Sequence, residues 1–267
     1  MKKKKNSVEY WEKRTAKTTW KVYNSIEEKN RDLIDFYTKA SKEIREELYR
    51  IGEKYSRNGA LTLSDLHKQN RLKKLNERLN KIIKELGKQV QQAATGRMQK
   101  GFKEVYENAC KSVGNINFAQ PNKKLMDKLL NEPWRGSEFS SRLWRNQRAL
   151  SKALNSALLI GLQQGKTLTE IAVAVHSMIG NGFNNVHRLV RTETMHYLNN
   201  AALRGYLDSG VTHVRIWAAR DERTCKHCME YHSKVYPIGK VPILPLHPHC
   251  RCTYLPLTDP EEIAEAL

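Results

Sequence analysis

The sequence lacks a membrane-spanning segment and the common short motifs of hydrolysis and phosphate binding. Its apolar runs, such as Ala157–Ile160, are far shorter than the roughly 20 residues that a spanning helix needs. The lysines of Met1–Lys5 are not followed by an apolar stretch, so we do not expect a signal peptide. No G-x-x-x-x-G-K-[ST], G-x-S-x-G or H-E-x-x-H pattern occurs. We therefore expect neither a membrane-spanning protein nor an enzyme.

Cysteine is also scarce, and four of the five cysteines lie close together in the sequence. Cys110 stands alone, whereas Cys225, Cys228, Cys250 and Cys252 fall within 28 residues. A C-x-x-C turn directs two thiolates to one tetrahedral centre, and a second Cys/His turn about twenty residues later can complete the shell. The spacing predicts a zinc knuckle at residues 225–252.

More candidate ligands are present than a tetrahedral zinc site requires. Five residues compete for the four positions, and three histidines lie nearby as outside candidates: Cys225, Cys228, His247, Cys250 and Cys252, then His227, His232 and His249. They fill a closed shell without an open catalytic position, which favours a structural site. The alternatives are reduced, packed cysteines or two disulfides. Disulfides are typical of small secreted domains with an even cysteine count, which this chain does not have.

Acidic side chains are too few to balance the basic ones. The chain has 47 Lys and Arg residues against 28 Asp and Glu, a net charge of +19. Residues 1–110 hold 27 basic and 15 acidic side chains (net +12), and the remainder holds 20 and 13 (net +7). This excess predicts a polyanionic partner, namely nucleic acid, and we expect DNA bound without sequence preference. The alternative is that the charge only keeps the chain soluble.

Apolar residues recur at helical spacing through most of the first 110 residues. Residues 8–55 contain no proline and predict one or two amphipathic helices that end at Arg57–Gly59. A second long helix is expected from a cap at Thr62 or Ser64, and its apolar stripe is Leu72, Leu75, Leu79, Ile82, Leu86 and Val90. Gly96, Gly101 and the segment 114–121 weaken the pattern. We therefore predict a basic helical N-terminal region at 1–118 and a second domain at 119–267.

The second domain alternates between helical patterns and one strand. Helices are expected at Phe139–Leu162, from a cap at Thr167 or Thr169 to a break at Gly180/Gly182, and at Val186–Leu207. Residues 212–217 then alternate as in a strand and lead into the first cysteine turn. The predicted fold is mainly α, with long N-terminal helices and a helical body that carries a small α+β C-terminal zinc-knuckle lobe.

Four motifs follow one another in this half of the chain. They are Arg191-Thr192-Glu193 on a helix, a strand that ends at Trp217, Asp221-x-Arg223-Thr224-Cys225-x-x-Cys228, and His247-Pro248-x-Cys250-Arg251-Cys252. As an ordered set they resemble the Mu-F-like family, the minor head or head-morphogenesis proteins of tailed bacteriophages. The resemblance covers roughly Trp134 to Pro256. Many relatives have a glycine shortly after the second cysteine, where this chain has Tyr231-His232-Ser233.

The resemblance implies a minor virion protein of the head interior at the portal vertex, present in the host cytoplasm during assembly. Its implied partners are the portal protein, the scaffold or major capsid protein, and packaged DNA. Structural roles are implied for Arg191, Glu193, Trp217, Asp221 and Arg223. Side chains two apart on a helix point to different faces. We therefore expect Arg191 and Glu193 to anchor their helix to Asp221 or Arg223 through ion pairs rather than to form a catalytic pair.

Two other functions remain open from the sequence. A metal-dependent nuclease would use a histidine-rich knuckle beside a general base, such as His187 or His196 next to Glu193. The chain shows no carboxylate pair that would hold a catalytic cation. A free DNA-binding protein is the other alternative, but no helix-turn-helix spacing is evident.

Overall fold

The structure, a computed structural model, describes residues 8–56, 61–67 and 70–266. Its α-helices are α1 (Val8–Trp11), α2 (Lys17–Lys29), α3 (Leu33–Tyr55), α4 (Leu63–His67), α5 (Arg71–Ser112), α6 (Lys123–Leu130), α7 (Phe139–Gln163), α8 (Leu168–Asp208), α9 (Lys226–Tyr231) and α10 (Pro260–Ala266). A π-helical turn, Glu12–Ala16, joins α1 to α2, and a 3-10 turn, Asn30–Asp32, joins α2 to α3. The mainly α fold predicted from the sequence is confirmed.

One small antiparallel sheet lies at the C-terminal end of the chain. Its strands are β1 (His213–Trp217), β2 (Val235–Pro237) and β3 (Thr253–Leu257), in the spatial order β2-β1-β3. Val214 and Ile216 of β1 are buried, as the alternation predicts, and every residue of β3 is buried. The cysteine turns lie on the connections between these strands, so the sheet holds both of them.

The glycines at which the sequence predicts breaks lie inside continuous helices. α8 passes through Gly180 and Gly182, and α5 passes through Gly96 and Gly101. A Cβ on Gly101 would lie 2.5 Å from Ile26 Cδ1, and one on Gly182 would lie 2.9 Å from Leu150 Cδ2. These two glycines serve close packing, which offsets the helix propensity that each one costs. The predicted break at Gly180/Gly182 is therefore wrong.

The second long helix also begins later than predicted. Thr62 does cap a helix, since its Oγ1 accepts from the Asp65 backbone N–H, but that helix is the short α4. The long helix α5 begins at Arg71, and its stripe buries Ile83 where the sequence favours Ile82. The predicted stop at Arg57–Gly59 lies outside the described residues, and α3 ends at Tyr55.

The chain divides into two compact units, each assembled from separate segments. The first, here the knuckle unit, contains Met1–Lys29, Thr95–Gly136 and Arg188–Leu267; the second, the helical unit, contains Asn30–Ala94 and Ser137–His187. α5 and α8 each contribute residues to both units. These units do not follow the predicted boundary between residues 118 and 119. N-terminal helices and the C-terminal sheet contribute to one core within the knuckle unit. Trp11 and Ala16 are buried in the same cluster as Trp217 and Leu255.

Candidate metal centre

The first cysteine turn is built on a helix N-terminus. Cys225 is the N-cap of α9, and its Sγ accepts from the Cys228 backbone N–H at 3.4 Å. This hydrogen bond is the main cause that lowers the pKa of the Cys225 thiol, because it favours the thiolate. Cys228, one turn into the helix, is buried. The C-x-x-C spacing therefore places both sulfurs on one side of α9.

The second turn contains the other three candidates. The Cys250 backbone N–H donates to the His247 carbonyl oxygen at 3.1 Å, and His249 has a φ of 65°. The left-handed conformation at His249 reverses the chain between His247 and Cys250. Cys250 and Cys252 are buried, and β3 begins directly after Cys252.

The structure brings all five predicted ligands together in two overlapping groups. Cys225, Cys228 and His247 form one group, and Cys228, Cys250 and Cys252 form the other. The His247 Nε2 atom lies 3.1 Å from Cys225 Sγ and 3.0 Å from Cys228 Sγ, and the Cys228 and Cys250 sulfurs are 3.6 Å apart. Ligand atoms of a tetrahedral zinc site lie about 3.5–3.8 Å from one another. The Cys228–Cys250 distance matches this edge, and the two His247 distances are shorter; Cys228 belongs to both groups, and within each group the ligand atoms lie within 4.8 Å of one another.

The sulfurs are thiols and not disulfides. All five cysteines are free. The distance of 3.6 Å between Cys228 Sγ and Cys250 Sγ also exceeds the about 2.05 Å of a disulfide bond. The two-disulfide alternative is therefore wrong for this structure.

The orientation of the His247 ring selects its metal-facing nitrogen. Nδ1 lies 2.7 Å from the Pro248 carbonyl oxygen, which can only accept. Nδ1 therefore carries the proton, and in the neutral ring the lone pair lies on Nε2, the atom that faces the two cysteines. A backbone carbonyl that orients a ligating imidazole is a usual second contact in metal sites.

The pKa values of the neighbouring thiols are shifted in opposite directions. A hydrogen bond from Cys252 lowers the pKa of Cys250 to about 5, and this bond raises the pKa of Cys252. Burial raises the pKa of Cys228 to about 12. Negative charges at such short distances repel each other, so the sulfurs cannot all ionise unless a cation compensates them. This donor set fits a divalent, thiophilic metal ion.

The three outside histidines belong to other contacts. His227 Nδ1 lies 3.5 Å from Glu230 Oε2 on the exposed side of α9. His232 Nδ1 accepts from the Ala218 backbone N–H, and its ring lies 4.1 Å from the Trp217 ring. His249 is exposed, and none of the three joins either ligand group of the described residues.

An ion pair joins the two cysteine turns. Asp221, in the first turn, accepts from the Arg251 guanidinium in the second, and this contact lowers the pKa of Asp221 to about 2. The Asp221 carboxylate also accepts from the Arg223 backbone N–H at 3.0 Å. Arg251 therefore holds the segment between Cys250 and Cys252 against the segment before Cys225.

The knuckle is also held from outside the cysteine turns. The Trp20 indole N–H of α2 donates to the Arg251 carbonyl oxygen at 2.9 Å, and the buried Asn199 of α8 donates to the Cys252 carbonyl oxygen at 3.0 Å. Sequence reasoning missed Trp20, Asn199 and Arg251. The C-R-C sequence gave a signal for Arg251, but nothing local pointed to Trp20, which is 231 positions away from its partner.

The predicted anchors of α8 are wrong. Arg191 pairs with Glu27 at 3.0 Å and donates to the Tyr23 hydroxyl at 3.2 Å, so it contacts α2 and not Asp221. Glu193 is buried, and its Oε2 accepts from the Trp134 indole N–H at 2.8 Å. Arg223 lies 3.6 Å from Asp221, its neighbour in the turn. The opposite directions of the two side chains were predicted correctly, but their partners lie on segments remote in sequence.

His196 and His187 both stack on aromatic rings. The His196 ring stacks on Trp134 at 4.0 Å between ring centroids, and its Nδ1 lies 2.8 Å from the Leu244 carbonyl oxygen. The His196 side chain is buried and packs against Trp134. His187 stacks on Phe183 in the helical unit.

A comparison with known protein families supports the resemblance found from the motifs. Residues 152–255 match the family described as Phage Mu protein F like protein. The matched segment contains α8, β1, both cysteine turns and most of β3, and it ends one residue before Pro256, the end of the resemblance found by motif. No curated protein and no solved structure matches the chain. The resemblance to the Mu-F-like phage family is confirmed.

Proposed function

We propose that this chain, whose residues 152–255 match the phage Mu F-like family, is a minor structural protein of a phage head that acts in head morphogenesis. The observation that carries the proposal is the combination of that match with a closed Cys/His centre inside the matched segment. We place the protein in the head interior at the portal vertex. Its partners there are the portal protein, scaffold or major capsid protein, and packaged DNA.

The cysteine centre holds one structural zinc ion in this proposal. Cys225, Cys228, His247 and Cys250 supply the four ligands, because Cys228 Sγ lies within 3.6 Å of both His247 Nε2 and Cys250 Sγ. Cys252 remains a thiol that donates to the Cys250 sulfur. The bound ion would join α9 to the turn before β3 and so stabilise a sheet whose strands are only three to five residues long.

The first experiment measures zinc in protein purified without chelator. We expect about one equivalent of zinc per chain, with the metal lost in Cys228→Ser and retained in Cys252→Ser. Folded protein without metal and with reduced thiols would contradict the zinc proposal. Loss of metal in Cys252→Ser but not in Cys250→Ser would instead assign the fourth position to Cys252.

The second experiment tests the role in the particle. Phage that carry Cys225→Ser with Cys228→Ser should form normal major shells but lack this protein or fail to deliver DNA. The reason is that the ligands also supply folding free energy to the segment that we expect to dock. Cys110→Ala is the matched control, because Cys110 lies outside both ligand groups and should leave infectivity unchanged. Fully infectious double-mutant particles with normal amounts of this protein would overturn the proposal.

The competing function is a metal-dependent nuclease. Both ligand groups of the described residues consist of Cys and His alone, without the carboxylates that hold Mg²⁺ or Mn²⁺ in nucleases. Supercoiled plasmid incubated with pure protein and either cation should stay intact. Nicking that is lost in Glu193→Gln would favour the nuclease instead.

DNA contact is the remaining part of the proposal. The net charge of +19 supports it, and no base-reading arrangement accompanies that charge. Binding should therefore be independent of sequence and weaken steeply with salt. A Kd unchanged between 50 and 200 mM salt (about the range over which phosphate contacts lose most affinity) would contradict it.

No helix in the part of the chain that the structure describes is long and apolar enough to cross a membrane.

A further inference from the structure

Helix α7 is basic without any acidic residue to balance it. Residues 139–169 contain five Lys and Arg residues and no Asp or Glu. In the first 110 residues, by contrast, no segment of this length lacks acidic side chains. Arg145, Arg148 and Lys152 are exposed, and none of them has an ion pair within the described residues. A surface helix normally places acids three or four positions from its bases. The imbalance therefore points to an anionic partner outside the chain.

These three side chains form one narrow stripe. At about 100° per residue, positions 145, 148 and 152 fall within about 60° of the helix circumference. They extend over about 10 Å along the axis, since each residue adds about 1.5 Å. Successive charges are thus about 4.5 and 6 Å apart along the helix axis.

Helix α5 packs beside α7 in the helical unit and runs antiparallel to it. Gln91 donates to Ser140, Gln91 also accepts from the Trp144 indole N–H, and Ser151 donates to Asn80. Positions on α5 therefore decrease as those on α7 increase. In this register, Lys84 lies level with residues 147 and 148.

The exposed lysines of α5 continue the stripe of α7. Lys81, Lys84 and Lys88 are exposed and lie on the part of α5 that the register places beside Arg148, Lys152 and Arg145. Within the described residues, Lys88 is the one of these three with an ion pair, a 3.7 Å contact with Glu85. We name the six side chains the α5–α7 basic face: Lys81, Lys84, Lys88, Arg145, Arg148 and Lys152.

The composition of this face distinguishes DNA from an acidic protein surface. Protein interfaces have an apolar or aromatic centre surrounded by polar groups. No large exposed hydrophobic side chain of the described residues lies on α5, and the one on α7, Ile160, is two turns beyond Lys152. A face in which six long basic side chains outnumber the one acid paired with them, Glu85, fits phosphate oxygens, which need charge and hydrogen-bond donors but no apolar contact.

We propose that the α5–α7 basic face binds the phosphate backbone of double-stranded DNA. This inference rests on the DNA contact in the proposed function and assigns it to one surface. The sequence pattern had attributed the charge to the first 110 residues as a whole. Half of this face comes instead from α7, in the second half of the chain.

The test compares two triple variants of the full-length protein with the same change in net charge. The first is Arg145→Gln with Arg148→Gln and Lys152→Gln. The matched control is Lys39→Gln with Lys42→Gln and Arg50→Gln on α3, where each base already pairs with an acid on its own helix: Glu43, Glu46 and Glu47. Binding to duplex DNA of random sequence is measured between 50 and 200 mM salt, about the range in which phosphate contacts respond most strongly.

The first variant should weaken binding about tenfold or more at low salt and reduce the slope of log Kobs against log salt by about 2.7, the value for three lost phosphate contacts. The control should keep both values close to those of the unaltered protein. Equal loss in both variants would overturn the assignment to this face but leave DNA contact intact. Absence of binding by the unaltered protein would reject DNA contact itself. Unchanged binding by the first variant would also overturn the assignment.

A second measurement uses the unaltered protein and does not depend on how the variants fold. Lysine acetylation is mapped with and without DNA. Lys81, Lys84, Lys88 and Lys152 should be protected by DNA, whereas Lys39 and Lys42 should react equally in both samples. Protection of Lys39 and Lys42 without protection of the α5–α7 basic face would place the DNA elsewhere.

Discussion

The helical unit and the knuckle unit reach a folded state by different physical means. In the helical unit, apolar stripes of α3, α5 and α7 bury residues such as Ile44, Leu79 and Leu154. In the knuckle unit, the segment from Asp221 to Cys252 adds four thiols, an imidazole and an ion pair to an apolar core. Apolar burial is spread over many residues, whereas a metal centre concentrates stabilisation in four. Single substitutions should therefore have very different effects in the two units.

Removal of two cysteine ligands should have the largest effect. Cys225→Ser with Cys228→Ser removes metal-binding free energy on the order of 10 kcal/mol, so the segment from 213 to 257 should lose its fold. Zinc content and the change in the near-ultraviolet circular dichroism of the protein would measure this loss. The helical signal from the helical unit should persist, and a complete loss of helix would show that the difference between the units is not real.

A core truncation in the helical unit should have a smaller and spatially separate effect. Leu154→Ala removes a side chain that is 1% exposed and should lower the free energy of unfolding by about 3 kcal/mol. Zinc content should stay at one equivalent. Ile160→Ala, at a position 49% exposed on the same helix, is the control and should cost well under 1 kcal/mol. Denaturant unfolding with zinc analysis of the folded fraction measures both results.

Two tryptophans allow the same hydrogen bond to be compared in the two units. Trp134 donates to the buried Glu193 carboxylate, and Trp144 donates to the neutral Gln91 amide. Trp134→Phe should cost about 1 kcal/mol more than Trp144→Phe, because it leaves a carboxyl oxygen of the buried Glu193 without this donor, whereas Trp144 donates to a partly buried amide. If urea unfolding gave the same loss in free energy of unfolding for both variants, the hydrogen bond to Glu193 would contribute no more than the one to Gln91.

The smallest expected effect is that of the ion pair between the cysteine turns. Asp221→Asn should lower the free energy of unfolding by about 1 kcal/mol at neutral pH, since Asp221 is partly exposed and solvent weakens the pair. The pKa of Asp221 is lowered in the fold to about 2. Its stabilising contribution is therefore complete above the unfolded pKa of about 3.9 and is lost as the pH falls through about 2.

Thermal unfolding of both proteins across this pH range checks that prediction. The difference between the unaltered protein and Asp221→Asn should be constant above about pH 4 and should close below it. A difference that grows on acidification would mean that Asp221 does not act through its charged form.

The sequence was informative where one helix or one turn contains the whole signal. Helix α7 was predicted at 139–162 and is found at 139–163. The cysteine turns were predicted as one cluster, and their sulfurs lie in two ligand groups that share Cys228. Predictions failed where a residue's role depends on a remote segment. Gly182 is read as a break from its local propensity, but it lies in a continuous helix because Leu150 packs against it.

By itself, the sequence determined the helical stripes, the single strand before the first cysteine and the five candidate ligands. Each of these depends on residues within one turn of a helix or one strand, where spacing alone fixes which side chains share a face. Only the tertiary structure decided that Arg191 pairs with Glu27, that Glu193 accepts from Trp134, and that Trp20 holds the second cysteine turn. Such partners are chosen by the packing of distant segments, because buried charges and backbone carbonyls need whichever donor the fold brings to them.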